Sequence, residues 1–209
     1  MPIANAYIDG FNLYYGCLKG TPYKWLNLAK LCQFLLPKPF ALGNVKYFTA
    51  RITPRPDDQH GPTRQNTYLR ALATVPSIQV FHGHFLRHNV WMPLAVPPAY
   101  GSRFAEVVKT EEKGSDVNLA SHLLIDAFTR TCDAALIISN DSDLLTPIQI
   151  ARQRFLLKTI LVSPHPTPST ELSQQADFRR QIRKGILNAS QFPDVLIDRI
   201  GSFHKPSGW

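Results

Sequence analysis

The segment Ala134–Ser139, AALIIS, has no charge and no polar alternation, and it lies between Asp133 and the pair Asn140-Asp141. A short continuous apolar run of this kind is a strand buried on both faces. Such a strand requires helices on each side of a mostly parallel sheet. Ile3–Ile8 reads in the same way and stops at Asp9-Gly10, a turn signal. The segments around these two strands alternate. Asn27–Leu36 carries a helical stripe closed by Pro37, Val45–Ala50 is strand-like, Arg64–Thr74 is helical, and Ile78–Phe85 alternates as a strand. His88–Gly101, with Pro93, Pro97 and Pro98, is expected to be a long irregular loop, followed by a strand at Phe104–Thr110.

Asp116–Thr129 is a strong helix, with Val117, Leu119, Ala120, Leu123, Leu124 and Ala127 on its apolar face. Leu144–Arg154 reads as helix, Thr159–Val162 as strand and Leu172–Ile182 as helix, although Asp177 breaks the last pattern. This order predicts a three-layer α/β domain, with a central mostly parallel sheet flanked by helices. The domain is expected to span residues 1–190, with 191–209 as a C-terminal tail packing on it. No apolar run is long enough for a membrane span. The N-terminus meets Asp9 too early for a signal peptide. The three cysteines, Cys17, Cys32 and Cys132, have no CxxC spacing, so a cytoplasmic protein is the expectation.

Charge is unevenly placed. The chain carries 23 Lys and Arg against 15 Asp and Glu, a formal net charge of +8. Residues 1–105 hold 11 basic groups and three acids, whereas residues 106–209 hold 12 of each. A basic surface of this kind draws polyanions, nucleic acid foremost. Asp9, isolated in the basic half and next to an apolar strand, therefore calls for a local explanation. Asp141 and Asp143 follow the AALIIS strand, and Asp116 opens the helix that precedes it. In a doubly wound sheet, functional residues collect beyond the carboxyl ends of parallel strands. If the first strand and the AALIIS strand are neighbours, Asp9, Asp116 and Asp141 share that edge.

Carboxylates gathered there repel one another, by about 4 kcal/mol per pair at about 4 Å and an effective dielectric near 20. A shared proton or a hard divalent cation, Mg²⁺ or Mn²⁺, offsets the repulsion. Each acid also has a plainer reading: Asp116 and Asp141 as helix N-caps, and Asp9 as a turn residue.

The segments that carry these acids resemble the NYN family of PIN-like, LabA-like nuclease domains. YIDGFNLYYG is similar to the family's opening strand motif, EEKGSDVNLA to its central motif, and LIISNDSDLLTPI to its third acidic motif. The closing GSFHKPSGW is similar to the end of many members. The resemblance implies a PIN-like fold and a divalent-metal ribonuclease centre. Asp9, Asp116 and Asp141 would carry Mg²⁺ or Mn²⁺, Asp143 would be a fourth acid, and Asn12 would orient a ligand or water. Ser139 would support Asp141 on the substrate side, and Lys113 would meet phosphate. Two positions depart from the family pattern. His122 stands where a further Asp is frequent, and Asn140 stands where Gly is usual before the last acidic pair.

Other signals are weaker. HGHxxxH at His82, His84 and His88 lacks a completing ligand. RRQIRK (Arg179–Lys184) is a solvated face or a phosphate-binding edge. Arg51, Arg55 and Arg64 flank a Pro-rich loop and could grip a nucleic-acid backbone. Tyr14, Tyr15 and Trp91 could stack on bases. Phe11 stands where an aspartyl-phosphate phosphatase needs an acid, and no phosphate-loop or dinucleotide glycine motif occurs. The expected activity is metal-dependent hydrolysis of single-stranded or structured RNA, as an endonuclease more than an exonuclease. A non-catalytic RNA-binding or regulatory module on the same scaffold is the alternative, and a homo-oligomer stays open.

Overall fold

The fold was described from a computed structural model covering all 209 residues. In chain order the elements are β1 (Ile3–Asp9), α1 (Gly10–Leu13), α2 (Leu28–Leu35), β2 (Ala41–Ala50), α3 (Gly61–Ala73), β3 (Ile78–Pro93) and β4 (Phe104–Lys113). Then follow α4 (Ser115–Thr129), β5 (Ala134–Ile138), α5 (Leu145–Phe155), β6 (Lys158–Ser163) and α6 (Thr170–Gln174). β7 (Phe178–Gln181), α7 (Lys184–Ala189), β8 (Val195–Asp198) and β9 (Gly201–His204) complete the chain.

The seven strands of the main sheet run β4-β3-β2-β1-β5-β6-β7. Every pairing is parallel except β3 with β4. This is the three-layer α/β arrangement expected. No helix is long and apolar enough to cross a membrane.

Alternate residues of the central strands feed two cores, one on each face. Ala4, Ala6 and Ile8 of β1 join Val45, Leu136, Ile138, Ile160 and Val162 beneath α2, α3 and α7. Tyr7, on the opposite face, joins Phe48, Ala135, Ile137 and Leu161 beneath α4 and α5. That second face also buries a polar knot. Asp126 of α4 accepts hydrogen bonds at its Oδ2 from Tyr7 Oη (2.5 Å), Lys46 Nζ (2.7 Å) and Asn5 Nδ2 (3.3 Å). The bonds run from β1 and β2 to α4, and they hold the helix at one height along the sheet. A buried charge persists only when it is paired in this way.

The sheet departs from the sequence reading in two places. The first part of the expected loop at His88–Gly101 is strand: β3 continues to Pro93 and pairs with β4 from His84↔Lys113 to Pro93↔Phe104, and only the residues after Pro93 are irregular. The prolines punctuate only the hairpin tip, while Val90, Trp91 and Val107 supply β-propensity along the arms. Leu172–Ile182 is a single turn of helix followed by β7, not one helix. Asp177 is the reason. Its Oδ2 accepts from the backbone N–H of Thr159 at the start of β6 (2.9 Å), and its side chain pairs with Arg152. The chain is thus pinned beside β6 and continues as a parallel strand.

Residues beyond 191 pack around Trp25. Its Nε1 donates to Pro193 O (2.8 Å), and the rings of Phe192, Phe203 and Trp209 surround it with centroids 5.8–6.5 Å away.

Candidate active site

β1 and β5 are parallel neighbours, with Ile8 opposite Ile138, and the chain winds away from them in opposite directions. This is the switch point at which a doubly wound sheet opens a crevice beyond its carboxyl ends. Asp9 is the last residue of β1. Its Oδ1 accepts from the Asn12 N–H (2.9 Å) and caps α1, and its Oδ2 accepts from Ser139 Oγ (3.0 Å).

Gly10 is required next. A Cβ there would lie 2.7 Å from Phe48 O and from the Tyr47 ring. Asn12 ties the two loops together, its Oδ1 accepting from the Asn140 N–H (2.9 Å). Asp141 follows β5. Its own N–H donates to Ser139 Oγ (3.1 Å), and its Oδ1 accepts from the Asp143 N–H (3.0 Å). For Asp9 and Asp141, cap and site therefore coincide. Asp116 lies inside the first turn of α4 and caps nothing.

Asp9, Asn12, Asp116 and Asp141 line one cavity of about 280 Å³, together with Phe11, Tyr15, Arg55, Phe85, Glu112 and Ser115. Glu112 is the functional candidate that sequence reasoning missed. It reaches the site because β4 pairs it with Phe85, and its carboxylate accepts from Ser115 N (3.2 Å) and Ser115 Oγ (2.6 Å). The available signal was Gly114, which has no side chain to cap α4, so the helix start takes its acceptor from a residue upstream. Gly83 makes room, since a Cβ there would collide with Glu112 and Lys113.

The electrostatics are those of uncompensated negative charge. Burial raises the Asp9 carboxyl, and the bonds from Asn12 and Ser139 only partly oppose this. Burial, then Asp9, Asp141, Glu112 and Asp143, push Asp116 up to about 6. Repulsion of this kind is relieved by a proton or by a cation.

No three His, Cys, Asp or Glu side chains stand together as a ready-made metal cage. The donor set nevertheless fits a hard ion. All four acids offer oxygen, and Mg²⁺ commonly keeps several waters while bound by one or two carboxylates.

The remaining expected site residues lie elsewhere. Asp143 is exposed outside the cavity, though its charge reaches Asp116. Ser139 is buried and serves Asp9 and Asp141 rather than the open cavity. Lys113 is drawn to Glu111 (3.5 Å), Arg51 donates to Asn66 Oδ1 (2.6 Å), and Arg64 pairs with Asp58. His122 packs its ring 4.0 Å from the Phe81 centroid and does not line the cavity. His82, His84 and His88 lie along β3 and join no ligand group. Asn140 binds the following loop, its Oδ1 accepting from Ser163 Oγ (3.1 Å) and the Ser169 N–H (2.6 Å).

The fold and crevice define a doubly wound α/β domain with an acidic cavity at its switch point. The NYN domain model matches residues 5–182, and the chain belongs to that nuclease-like family. It is also 33% identical to 6-hydroxy-3-succinoylpyridine 3-monooxygenase HspA of Pseudomonas putida strain S16, over 97% of this chain and 74% of that protein. Its fold matches that of VPA0982 from Vibrio parahaemolyticus, a protein of unknown function, with a TM-score of 0.57 at 16% identity, covering 88% of this chain and 94% of the other.

Proposed function

We propose that the protein is a divalent-metal-dependent ribonuclease acting within the cytoplasm, with residues 1–190 as the catalytic unit and 191–209 packing onto it. The observation that carries this reading is the single cavity lined by Asp9, Glu112, Asp116 and Asp141, with the cationic Arg55 on its wall. Asp9, Asp116 and Asp141 would hold Mg²⁺ or Mn²⁺, and Glu112 and Asp143 would add negative charge around it. When bound, the ion supplies Lewis acidity toward a phosphoryl oxygen and a water.

The chain's own residues provide the positioning. Ser139 and the Asn12 N–H orient the Asp9 carboxylate, and the Asn12 side chain locks the β1 and β5 loops in register. Arg55 meets the phosphodiester, and the Asp116 carboxyl, pushed up to about 6 by burial and its acidic neighbours, gives up its proton when a cation takes its place. Arg51, Arg64 and Lys113 flank the path of the RNA rather than the scissile bond.

The test is incubation of labelled single-stranded and hairpin RNAs with Mn²⁺, Mg²⁺ or EDTA, with Asp9→Asn beside the wild type. The reading expects cleavage that needs metal and is lost in the variant. RNA binding without any cleavage, unchanged by EDTA, would replace it with a non-catalytic RNA-binding module.

A second reading comes from the relative named as a hydroxypyridine monooxygenase. In it, the same face handles a small heteroaromatic acid. The observation that favours it is an aromatic cavity beside the acidic one.

A further inference from the structure

The acidic cavity has a larger neighbour of about 460 Å³. Its walls include Tyr14, Tyr15, Tyr47, Tyr68 and Trp209, and of the four acids of the smaller cavity it contains none. Tyr14 and Tyr15 are placed there by a π turn, Tyr14–Leu18, that continues α1, a distortion of helix geometry frequent at functional sites. Tyr47 and Tyr68 meet edge to face at 6.4 Å, and Tyr68 lies 5.8 Å from the Trp209 ring. Tyr47 and Tyr68 are buried and form the chamber's floor, whereas Tyr14, Tyr15 and Trp209 keep ring surface in the open, where a flat ligand adds dispersion contacts that solvent does not supply. The volume suits one ring system with a substituent, within the ordinary range of small-molecule sites.

Phe11, Tyr15 and Arg55 belong to the walls of both cavities, so the two are joined at that point. Charge and position together single out Arg55, the one cation of the chamber wall that also lines the acidic cavity. Arg64 is neutralised by Asp58, Lys19 lies over the Tyr15 ring (5.1 Å) and Lys24 over the Trp209 ring (5.9 Å). Arg55 enters none of the molecule's ion pairs. A guanidinium without a carboxylate partner, at the junction of an aromatic chamber and a cluster of acids, is an anchor for an anion.

We propose that this chamber binds a planar aromatic ring bearing an anionic arm, the ring among the tyrosines and the anion on Arg55. The inference rests on the ribonuclease reading only in placing that anion next to the reacting centre. The ligand chemistry has two sources: a base with its phosphate, as one nucleotide of an RNA, or a small hydroxylated heteroaromatic acid.

The experiment is calorimetric titration of the full chain in EDTA with adenosine 5′-monophosphate and, separately, with 6-hydroxypyridine-3-carboxylate. Variants Arg55→Gln and Tyr15→Ala are run beside Trp91→Ala on the distant hairpin. Arg55 and Tyr15 are exposed, so their loss spares the core. At least one probe should bind with a dissociation constant in or below about the millimolar range. Binding should weaken roughly tenfold in Arg55→Gln and several-fold in Tyr15→Ala, and be unchanged in Trp91→Ala. Preference for the nucleotide assigns the chamber to RNA, and preference for the pyridine acid assigns it to a small molecule. Both outcomes uphold a ring-and-anion site. Absence of binding by both probes, or binding as tight as wild type in Arg55→Gln or in Tyr15→Ala, overturns it. Because metal and RNA are absent, this result is independent of whether the protein cleaves RNA.

Discussion

Helix α4 carries two aspartates with opposite surroundings. Asp126 lies under the sheet, where Lys46, Tyr7 and Asn5 all donate to its Oδ2. Burial alone would raise its carboxyl, but the donors outweigh burial and hold it below the usual range. Asp116, in the first turn, faces Asp9, Asp141 and Glu112 with no donor in return, and its carboxyl is pushed up to about 6. One acid is satisfied and anchors the helix, while the other is held in a costly state by that anchoring. A fold keeps such a cost at a place where something outside the chain relieves it.

Removing the partner of the satisfied acid should have the largest effect. Lys46→Met leaves the Asp126 charge buried and unpaired, at a loss of about 3–5 kcal/mol in denaturant unfolding. Adding Asp126→Leu to that variant should recover much of the loss, because a buried ion pair gains little over well-packed apolar groups.

The unsatisfied cluster should behave in the opposite way. Asp141→Asn should lower metal-dependent RNA cleavage by about 100-fold or more with no loss of melting temperature. Glu112→Gln, which retains an oxygen to accept from Ser115, should lower cleavage by roughly tenfold, since it removes one charge and leaves the helix start intact.

The smallest effect concerns pH. The folded Asp116 holds its proton up to about 6, against 3.8 for the ordinary carboxyl. Its contribution to stability is therefore complete below 3.8 and is lost as pH rises through about 6. Asp126 has the reverse sign: its contribution is present above the usual carboxyl value and lost as pH falls through its lower folded one. In EDTA, the melting temperature of Asp116→Asn should match that of wild type in mild acid and exceed it near neutrality, by a small margin.

This contrast was only half legible in the sequence. The parallel sheet, its two buried central strands and the places of Asp9 and Asp141 follow from apolar runs that end in acids, because a buried strand shows its boundaries plainly, and Asp116 joins them through the helix that it opens once those two strands are neighbours. Asp126 gave no such sign, since it sits in an apolar helical face and its donors come from β1 and β2, far away in the chain. Glu112 was hidden for a related reason, its position depending on the β3–β4 register. The hairpin was obscured by its prolines, and β7 by a helical pattern that Asp177 interrupts through a contact with β6. Local pattern reveals what a segment does alone, and these features depend on which segment lies beside which.

The most direct measurement is the melting temperature of wild type and Asp116→Asn, side by side, as Mn²⁺ is raised from none to saturation. Without metal the variant should melt higher, because it lacks the repelling charge. A cation binding the folded state adds about 2.7 kcal/mol at a hundred times its dissociation constant, so the wild type should overtake the variant as Mn²⁺ fills the cavity. A wild type that never responds to Mn²⁺, or a variant that responds equally, would contradict the assignment of Asp116 as an acid kept for a metal ion.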